Sequence, residues 1–199
     1  MATEPSEPDL DAAVASLRRG EVVAVATDTV FGLVCDPRDE AAVDRVYALK
    51  RRPAHLELTV LAAAAADLDD LVRWSGAARR LAALHWPGPL SLVLPVGDQR
   101  LAVPRAGDTL SVRVPNQPVL LELLRRTGPL ASTSANRHGS APALRVAHVR
   151  ANFGAHVAVV LGGDGRPGGM ASTIIDCSVT PSRVLREGPI DGQAALAQD

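Results

Sequence analysis

The spacing of apolar residues predicts helices between strands in the first half of the chain and successive strands in the second half. Val43, Val46 and Tyr47 share one face of a helix over 39–51, which Pro53 would end. The apolar run 21–26 has the length of a buried strand. Further helices are predicted over 9–19, in two stretches of 64–85 that are divided at Ser75 and Gly76, over 116–126 with Asn116 as N-cap, and over 143–152. Further strands are predicted over 56–62, 90–96, 109–114, 129–132, 156–161, 172–177 and 183–186.

This order of elements predicts an α/β fold, with one domain built on a twisted mixed sheet, parallel and antiparallel, that is flanked by helices. A chain of 199 residues is long enough for one substantial core. We expect the domain to cover 10–190, with flexible termini at 1–9 and 191–199. Only 3% of the residues are aromatic, so Ala, Val and Leu must form most of the core.

Composition narrows the classes of function. A formal net charge of -1 gives no overall attraction to nucleic acids or membranes, so such binding would need a local basic patch. Cys35 and Cys177 are far apart, which argues against a disulfide framework and favours a reducing compartment. The histidines lack the spacing of metal ligands, so no structural metal is expected. The acidic start and the lack of a long apolar run predict a cytoplasmic protein without a membrane segment.

Three cations, Lys50 to Arg52, close the predicted helix 39–51. One interpretation is a favourable interaction of these charges with the helix dipole. The other is a phosphate site, because Lys50 lies seven residues after Val43 on the apolar face and Arg52 is held extended by Pro53. Arg binds phosphate bidentately, whereas Lys supplies a compact charge.

The segment 132–136, with the sequence STSAN, ends a predicted strand and offers hydroxyl and amide groups to a nucleotide. An ordinary hydrogen-bonded turn is the alternative. Arg113 lies on the polar face of strand 109–114, as a surface charge or as a clamp for a substrate carboxylate. The glycine-rich loop 162–169 fits neither the dinucleotide-binding nor the P-loop pattern, so side chains would have to hold a nucleotide.

Seven motifs in order resemble the YrdC-like family of L-threonylcarbamoyladenylate synthases. They are TDTVFGL from Thr27, KRRP from Lys50, WPGPLSLVLP from Trp86, SVRVP from Ser111, STSAN from Ser132, ASTIID from Ala171 and LREG from Leu185. The likeness covers roughly residues 10–190 and corresponds to the short form of the family. It implies a YrdC-like fold with a concave basic site.

The resemblance also implies a reaction and a set of site residues. ATP, L-threonine and bicarbonate would give threonylcarbamoyl-adenylate and pyrophosphate, for N6-threonylcarbamoylation of tRNA by a separate transferase complex. Lys50 and Arg52 would be catalytic and bind the phosphates of ATP with Mg²⁺. Further ATP contacts are implied for Ser134, Asn136, Arg186 and Thr109, and threonine contacts for Thr29, Arg113, Ser132 and Ser172. Weak binding of tRNA or double-stranded RNA is a further expectation.

Some positions depart from the family pattern. They are Ala26, Phe31, Val34, Leu56, Glu57, Leu61 and His138. They motivate one alternative, a paralogue that forms a carbamoyl-adenylate with another substrate. A second alternative is a non-catalytic RNA-binding module, for which affinity should fall steeply with salt.

Overall fold

The computed structural model describes residues 6–51, 57–98, 100–103, 107–162 and 168–197. The helices of these ranges are α1 Glu7–Arg18, α2 Glu40–Lys50, α3 Gly76–His85, α4 Pro118–Thr127, α5 Val146–Phe153 and α6 Gly192–Leu196, with short 3₁₀ helices at Ala65–Leu68 and Gly154–His156. The strands are β1 Val23–Ala26, β2 Phe31–Cys35, β3 Thr59–Leu61, β4 Leu90–Pro95, β5 Thr109–Arg113, β6 Leu130–Ser134, β7 Val159–Leu161, β8 Thr173–Asp176 and β9 Arg183–Arg186.

All of the described strands belong to one sheet, in the order β7-β1-β2-β6-β3-β5-β4-β8-β9. The pairs β1–β7, β3–β5 and β4–β8 are parallel. The remaining five pairs are antiparallel. The predicted mixed sheet flanked by helices is therefore confirmed.

The two faces of the sheet are covered by different helices. On one face, α2, α3 and α5 pack against side chains such as Leu33, Val60 and Leu92 in the larger apolar cluster. On the other face, α1 and α4 cover only part of the sheet. There they pack on a second apolar cluster from β1, β2, the end of β3 at Leu61 and the start of β6 at Leu130. On the remainder of that face, the central strands β6, β3 and β5 carry the hydroxyl side chains of Ser132, Thr59 and Ser111. In the described part of the chain, no helix is both long and apolar enough to cross a membrane.

Several element boundaries differ from the predictions. The N-cap of α4 is Gln117 rather than Asn116, because Pro118 occupies the first helical position and the cap is the residue before it. Strand β2 was not predicted, and the predicted strand 156–161 begins only at Val159. Helix α1 starts at Glu7 and α6 spans Gly192–Leu196, so helices extend beyond the predicted domain limits at both ends.

Candidate functional site

A row of small hydroxyl side chains crosses the part of the second sheet face that α1 and α4 leave uncovered. Thr59 pairs with Ser132 on one side and with Ser111 on the other, so the three side chains share a face. The hydroxyls of Thr59 and Ser111 are 3.0 Å apart. Thr109 and Ser134 lie two residues from members of this row and therefore point to the same face. The strands thus present a polar floor in the middle of the sheet.

At one end of this floor is a group that we call the lysine corner, consisting of Lys50, Ser134, Asn136 and Ser140. Lys50 is only 2% exposed, as expected from its place on the apolar face of α2. Its Nζ donates to the carbonyl of Ser134 at 2.5 Å and to the carbonyl and Oδ1 of Asn136 at 2.9 Å each. The two motifs that the sequence assigned to ATP are therefore in direct contact.

The amide of Asn136 is oriented by its own neighbours in the lysine corner. The Ser134 hydroxyl donates to Asn136 Oδ1 at 2.6 Å, and Asn136 Nδ2 donates to the carbonyl of Ser140 at 2.6 Å. Asn136 is 9% exposed. A side chain held at both ends of its amide loses little further entropy when a ligand binds, which suits a recognition role.

The second group, which we call the arginine corner, consists of Asp28, Thr29, Ser91, Arg113, Ser172 and Arg186. Arg113 is buried at the end of β5, and three of its five N–H donors are engaged. Its Nε donates to the carbonyl of Gly88 at 2.9 Å, and its Nη1 donates to the Thr29 hydroxyl at 3.1 Å. Its Nη2 donates to Asp28 Oδ1 at 2.5 Å, which forms an ion pair.

The turn that carries Asp28 and Thr29 is fixed by the preceding residue. The Thr27 hydroxyl accepts from the backbone N–H groups of Thr29 and Val30 at 3.0 and 3.1 Å. It also lies 2.8 Å from the Thr29 hydroxyl. Gly168 and Gly169 then donate their N–H groups to the carbonyls of Asp28 and Thr29. The turn is thus held from both sides, and Asp28 has a defined position before any ligand binds.

Within the arginine corner, Ser172 contacts both Ser91 of β4 and Arg186 of β9. Its hydroxyl lies 2.9 Å from that of Ser91, and both residues are buried. Arg186, although largely exposed as a residue, turns its guanidinium inward and donates twice to the Ser172 carbonyl, at 3.0 and 2.7 Å. Its Nη2 also lies 3.2 Å from the Ser172 hydroxyl. The ATP candidate Arg186 and the threonine candidate Ser172 are therefore direct neighbours.

The electrostatics of the arginine corner favour an anion. Burial lowers the pKa of Arg113, and the neighbouring Asp28 carboxylate opposes that shift. Burial and then the positive charge of Arg113 lower the pKa of Arg186. Two guanidinium groups that repel each other in a partly desolvated site would both be stabilised by a carboxylate or phosphate placed between them.

The predicted site residues fall into these two corners and the floor between them. Lys50, Ser134 and Asn136 form one corner, Thr29, Arg113, Ser172 and Arg186 belong to the other, and Thr109 and Ser132 lie on the floor. Arg52 and Leu56 lie outside the described residues. Asp28 and Ser91 also contribute to the arginine corner but are not among the predicted site residues, although Asp28 stands in the TDT motif and Ser91 alternates with buried leucines in β4.

The departures from the family pattern that the structure describes have different surroundings. Ala26, Phe31 and Val34 are buried in the apolar clusters. Leu61 pairs with Arg113 in the sheet and packs in the cluster under α1 and α4. His138 is exposed, and its backbone N–H donates to the carbonyl of Lys50 at 2.9 Å.

A separate surface cavity of about 470 Å³ does not overlap either corner. It is lined by Glu21, Val22, Arg45, Ala48, Leu49, His156 and Ala158. Because none of its described lining residues is a predicted site residue, its size does not bear on the chemistry of the two corners.

Comparison with known proteins places this architecture in a family. The family model Sua5_yciO_yrdC, described as Telomere recombination, matches residues 15–188. A protein of Xanthomonas campestris pv. campestris named threonylcarbamoyl-AMP synthase is 41% identical over 191 residues, which cover 94% of this chain and 98% of that protein.

Two solved structures extend the comparison to three dimensions. P. abyssi Sua5 complexed with L-threonine has a TM-score of 0.87 and 34% identity over 94% of this chain, which corresponds to 56% of that longer protein. E. coli YciO has a TM-score of 0.85 and 25% identity, with 96% of this chain and 94% of that protein covered. With a family model that spans most of its length and a close relative of nearly the same size, the chain belongs to the Sua5/YciO/YrdC family.

Proposed function

We propose that this protein is a nucleotidyltransferase that forms L-threonylcarbamoyl-AMP from L-threonine, bicarbonate and ATP, with release of pyrophosphate. The product would serve the N6-threonylcarbamoyladenosine modification of tRNA. The proposal is supported by the relative of nearly equal length that is named threonylcarbamoyl-AMP synthase. It is also supported by the related Sua5 structure that contains L-threonine.

One structural observation carries the proposal for this chain. Ser134 of the lysine corner and Arg113 of the arginine corner each lie two residues from a member of the hydroxyl row Ser132, Thr59 and Ser111, so these strand side chains share one sheet face. Lys50 reaches Ser134 from α2. A nucleotide held at one corner and an amino acid held at the other would meet over this floor. Holding two reactants close together in the reactive orientation removes much of the entropic barrier to their reaction.

The proposed contacts follow from the chemistry of each group. Lys50, with Arg52, would bind the phosphates, and this requires Lys50 to exchange at least one of its protein acceptors for a phosphate oxygen. Ser134 and Asn136 would face the nucleotide, with Thr109 and Arg186 as further ATP contacts. Arg113 would hold the threonine carboxylate, with Thr29, Ser132 and Ser172 around the rest of the substrate.

The reaction requires no protein nucleophile. The threonine ammonium would first lose a proton to solvent, and the free amine would condense with bicarbonate to N-carboxythreonine with loss of water. A carboxylate oxygen of that carbamate would then attack the α-phosphorus of ATP. The new P–O bond forms as the bond to the pyrophosphate oxygen breaks. Lys50 and Arg52 would stabilise the charge that builds up on the departing pyrophosphate, so catalysis would consist of positioning and electrostatics.

Mg²⁺ belongs to the proposal through the nucleotide. Within the described ranges, no three His, Cys, Asp or Glu residues are grouped so that they could hold a metal ion. In nucleotide sites, Mg²⁺ usually binds through substrate phosphates, water and at most one or two carboxylates, and we propose the same here. It would supply additional positive charge at the phosphates.

The remaining partners are proposals of the same kind. A separate tRNA threonylcarbamoyl transferase complex would consume the adenylate, in the cytoplasm. Weak binding of tRNA or double-stranded RNA, and the concave basic surface for it, remain predictions from the resemblance.

The decisive experiment follows pyrophosphate release from ATP, Mg²⁺ and bicarbonate with and without L-threonine, and measures the mass of any adenylate. The proposal expects threonine-dependent release and the mass of threonylcarbamoyl-AMP. Release that does not depend on threonine would replace it with the paralogue that uses another substrate. Tight, salt-sensitive RNA binding without ATP binding would replace it with the RNA-binding module.

A further inference from the structure

The arginine corner contains a carboxylate to which neither the motifs nor the proposed chemistry gives a role. The side chains of Asp28 and Arg113 are 14% and 6% exposed, and Asp28 Oδ1 accepts from Arg113 at 2.5 Å. The second oxygen, Asp28 Oδ2, is buried and has no hydrogen-bond partner among the described residues. A buried carboxylate oxygen without a donor is uncommon and unfavourable, so a ligand that supplies a donor would relieve this cost.

Arg113 has a complementary surplus of donors. Three of its N–H groups contact Gly88, Thr29 and Asp28, and a guanidinium group has five. The remaining two can receive a carboxylate. The arginine corner therefore offers two donors to an anionic group and, next to them, an oxygen acceptor to a cationic group.

The charges of the pair determine which ligands benefit. Arg186 adds a second positive charge to the corner, and Asp28 adds a negative charge beside Arg113, so a simple carboxylic acid would meet two guanidinium groups but also a carboxylate that repels it. An α-amino acid has its ammonium one carbon from its carboxylate. It can pair with both protein groups at once, and each charge of the ligand then relieves an unfavourable contact of the free site.

We propose that Asp28 is a specificity-determining residue that receives the ammonium group of the substrate and makes the site selective for zwitterionic α-amino acids. This inference rests on the proposed function, which it deepens by assigning the amino group of the substrate. The position of Asp28 is set before binding, because Thr27 holds the turn and the N–H groups of Gly168 and Gly169 hold its backbone. Such preorganisation lowers the entropic cost of binding.

The test compares two ligands by calorimetry on the whole protein with ATP present. L-threonine has the ammonium, and 3-hydroxybutanoate has the same carbon chain, carboxylate and hydroxyl without it. Wild-type protein is expected to bind threonine about 10-fold to 100-fold more tightly than 3-hydroxybutanoate. Equal affinity of the wild type for the two ligands would overturn the inference without any variant.

Asp28→Asn then isolates the charge. Asn keeps an oxygen acceptor for Arg113 but presents an amide instead of a carboxylate oxygen to the ligand. Threonine should bind about 10-fold more weakly and 3-hydroxybutanoate at least as well as before, so that selectivity collapses. Asp44→Asn, which removes an exposed carboxylate from α2, is the matched control and should keep the wild-type selectivity. Unchanged selectivity in Asp28→Asn would overturn the inference.

Two readouts separate this inference from the proposed function. ATP affinity and the unfolding temperature of Asp28→Asn check that the variant is folded. Pyrophosphate release is measured on the same wild-type sample. If threonine binds with the expected selectivity but no adenylate forms, the inference stands and the proposed function fails. If adenylate forms and Asp28→Asn discriminates as the wild type does, the inference alone fails.

Discussion

The lysine corner and the arginine corner solve the same problem, a buried cation facing a ligand site, in different ways. In the lysine corner, Nζ of Lys50 is held by three oxygens of Ser134 and Asn136, two of them main-chain carbonyls. In the arginine corner, Arg113 forms an ion pair with Asp28, and Arg113 repels the nearby Arg186.

This difference implies different costs of ligand binding. A phosphate that approaches Lys50 competes with oxygens that already hold the ammonium, so binding there is an exchange of partners. A zwitterion that approaches Arg113 finds unused donors and an unpartnered carboxylate oxygen, so binding there adds contacts. We therefore expect substitutions in the lysine corner to affect both folding and turnover, and substitutions of Asp28, Arg113 and Ser172 in the arginine corner to affect mainly the binding of the amino acid.

The largest effect is expected for Lys50→Ala. A lost charge contact of about 3 kcal/mol in the transition state corresponds to about a hundredfold slower pyrophosphate release. The oxygens of Ser134 and Asn136 would also lose a buried donor, at a cost to the free energy of unfolding of about 1–3 kcal/mol. Enzyme assays and urea unfolding measure the two effects separately.

A matched control for this variant is Arg18→Ala, which removes an exposed cation from α1 and should leave both quantities unchanged. Arg52→Ala, at the partner cation that the sequence motif assigns, is expected to slow turnover to a similar degree. Near-normal turnover in Lys50→Ala would contradict the catalytic role and leave Lys50 as a purely structural link between α2 and β6.

A smaller and more selective effect is expected for Arg113→Lys. The ammonium keeps the charge but cannot contact Gly88, Thr29 and Asp28 together, because it lacks the planar fork of guanidinium. The KM for threonine should rise about 10-fold to 100-fold, while the KM for ATP should stay within about twofold. Steady-state kinetics with each substrate varied in turn gives both values. An equal rise in both KM values would mean that the two corners do not bind separate ligands.

Whether the sequence alone predicts a feature of these two corners depends on how far apart in the chain the interacting residues are. The burial of Lys50 follows from its spacing to Val43 on α2, and the place of Arg113 follows from the alternation of β5, because both are local periodicities. The pair Asp28–Arg113 joins residues 85 positions apart in the chain. No local pattern encodes such a contact, and only the folded sheet brings the turn after β1 to the end of β5.

Two differences between the predicted and the observed elements, at strand β2 and at the start of α4, also have physical causes. Strand β2 is buried on both faces and contains Gly32, so it shows no alternation of polar and apolar residues. A Cβ at that position would lie 3.1 Å from the Ser132 hydroxyl, so a larger residue there would push this hydroxyl aside by a few tenths of an ångström. The predicted start of α4 is wrong because Pro118 takes the first helical position, which leaves Gln117 and not Asn116 as the N-cap, although Asn is the better N-cap residue.

Arg186→Gln tests whether the repulsion in the arginine corner favours anions. Pyrophosphate near saturation is expected to raise the unfolding temperature of the wild type by about 5 °C, and that of Arg186→Gln by about half as much. The reason is that an anion offsets the mutual repulsion of Arg113 and Arg186, which the substitution removes. Thermal unfolding with and without pyrophosphate gives the two shifts. Arg150→Gln, which changes an exposed arginine of α5, is the control, and equal shifts in all three proteins would exclude Arg186 from the anion site.

The smallest effect is expected for Ser91→Ala. This change removes a hydroxyl 2.9 Å from that of Ser172, a contact between neutral groups that contributes about 0.5–1.5 kcal/mol to stability. Turnover should fall less than about threefold, whereas Ser172→Ala, which removes a proposed substrate contact, should raise the KM for threonine about 10-fold. The double variant gives the coupling between them. If Ser91→Ala alone raises the KM as much as Ser172→Ala does, then Ser172 depends on Ser91 for its orientation, and the arginine corner is less preorganised than its hydrogen bonds imply.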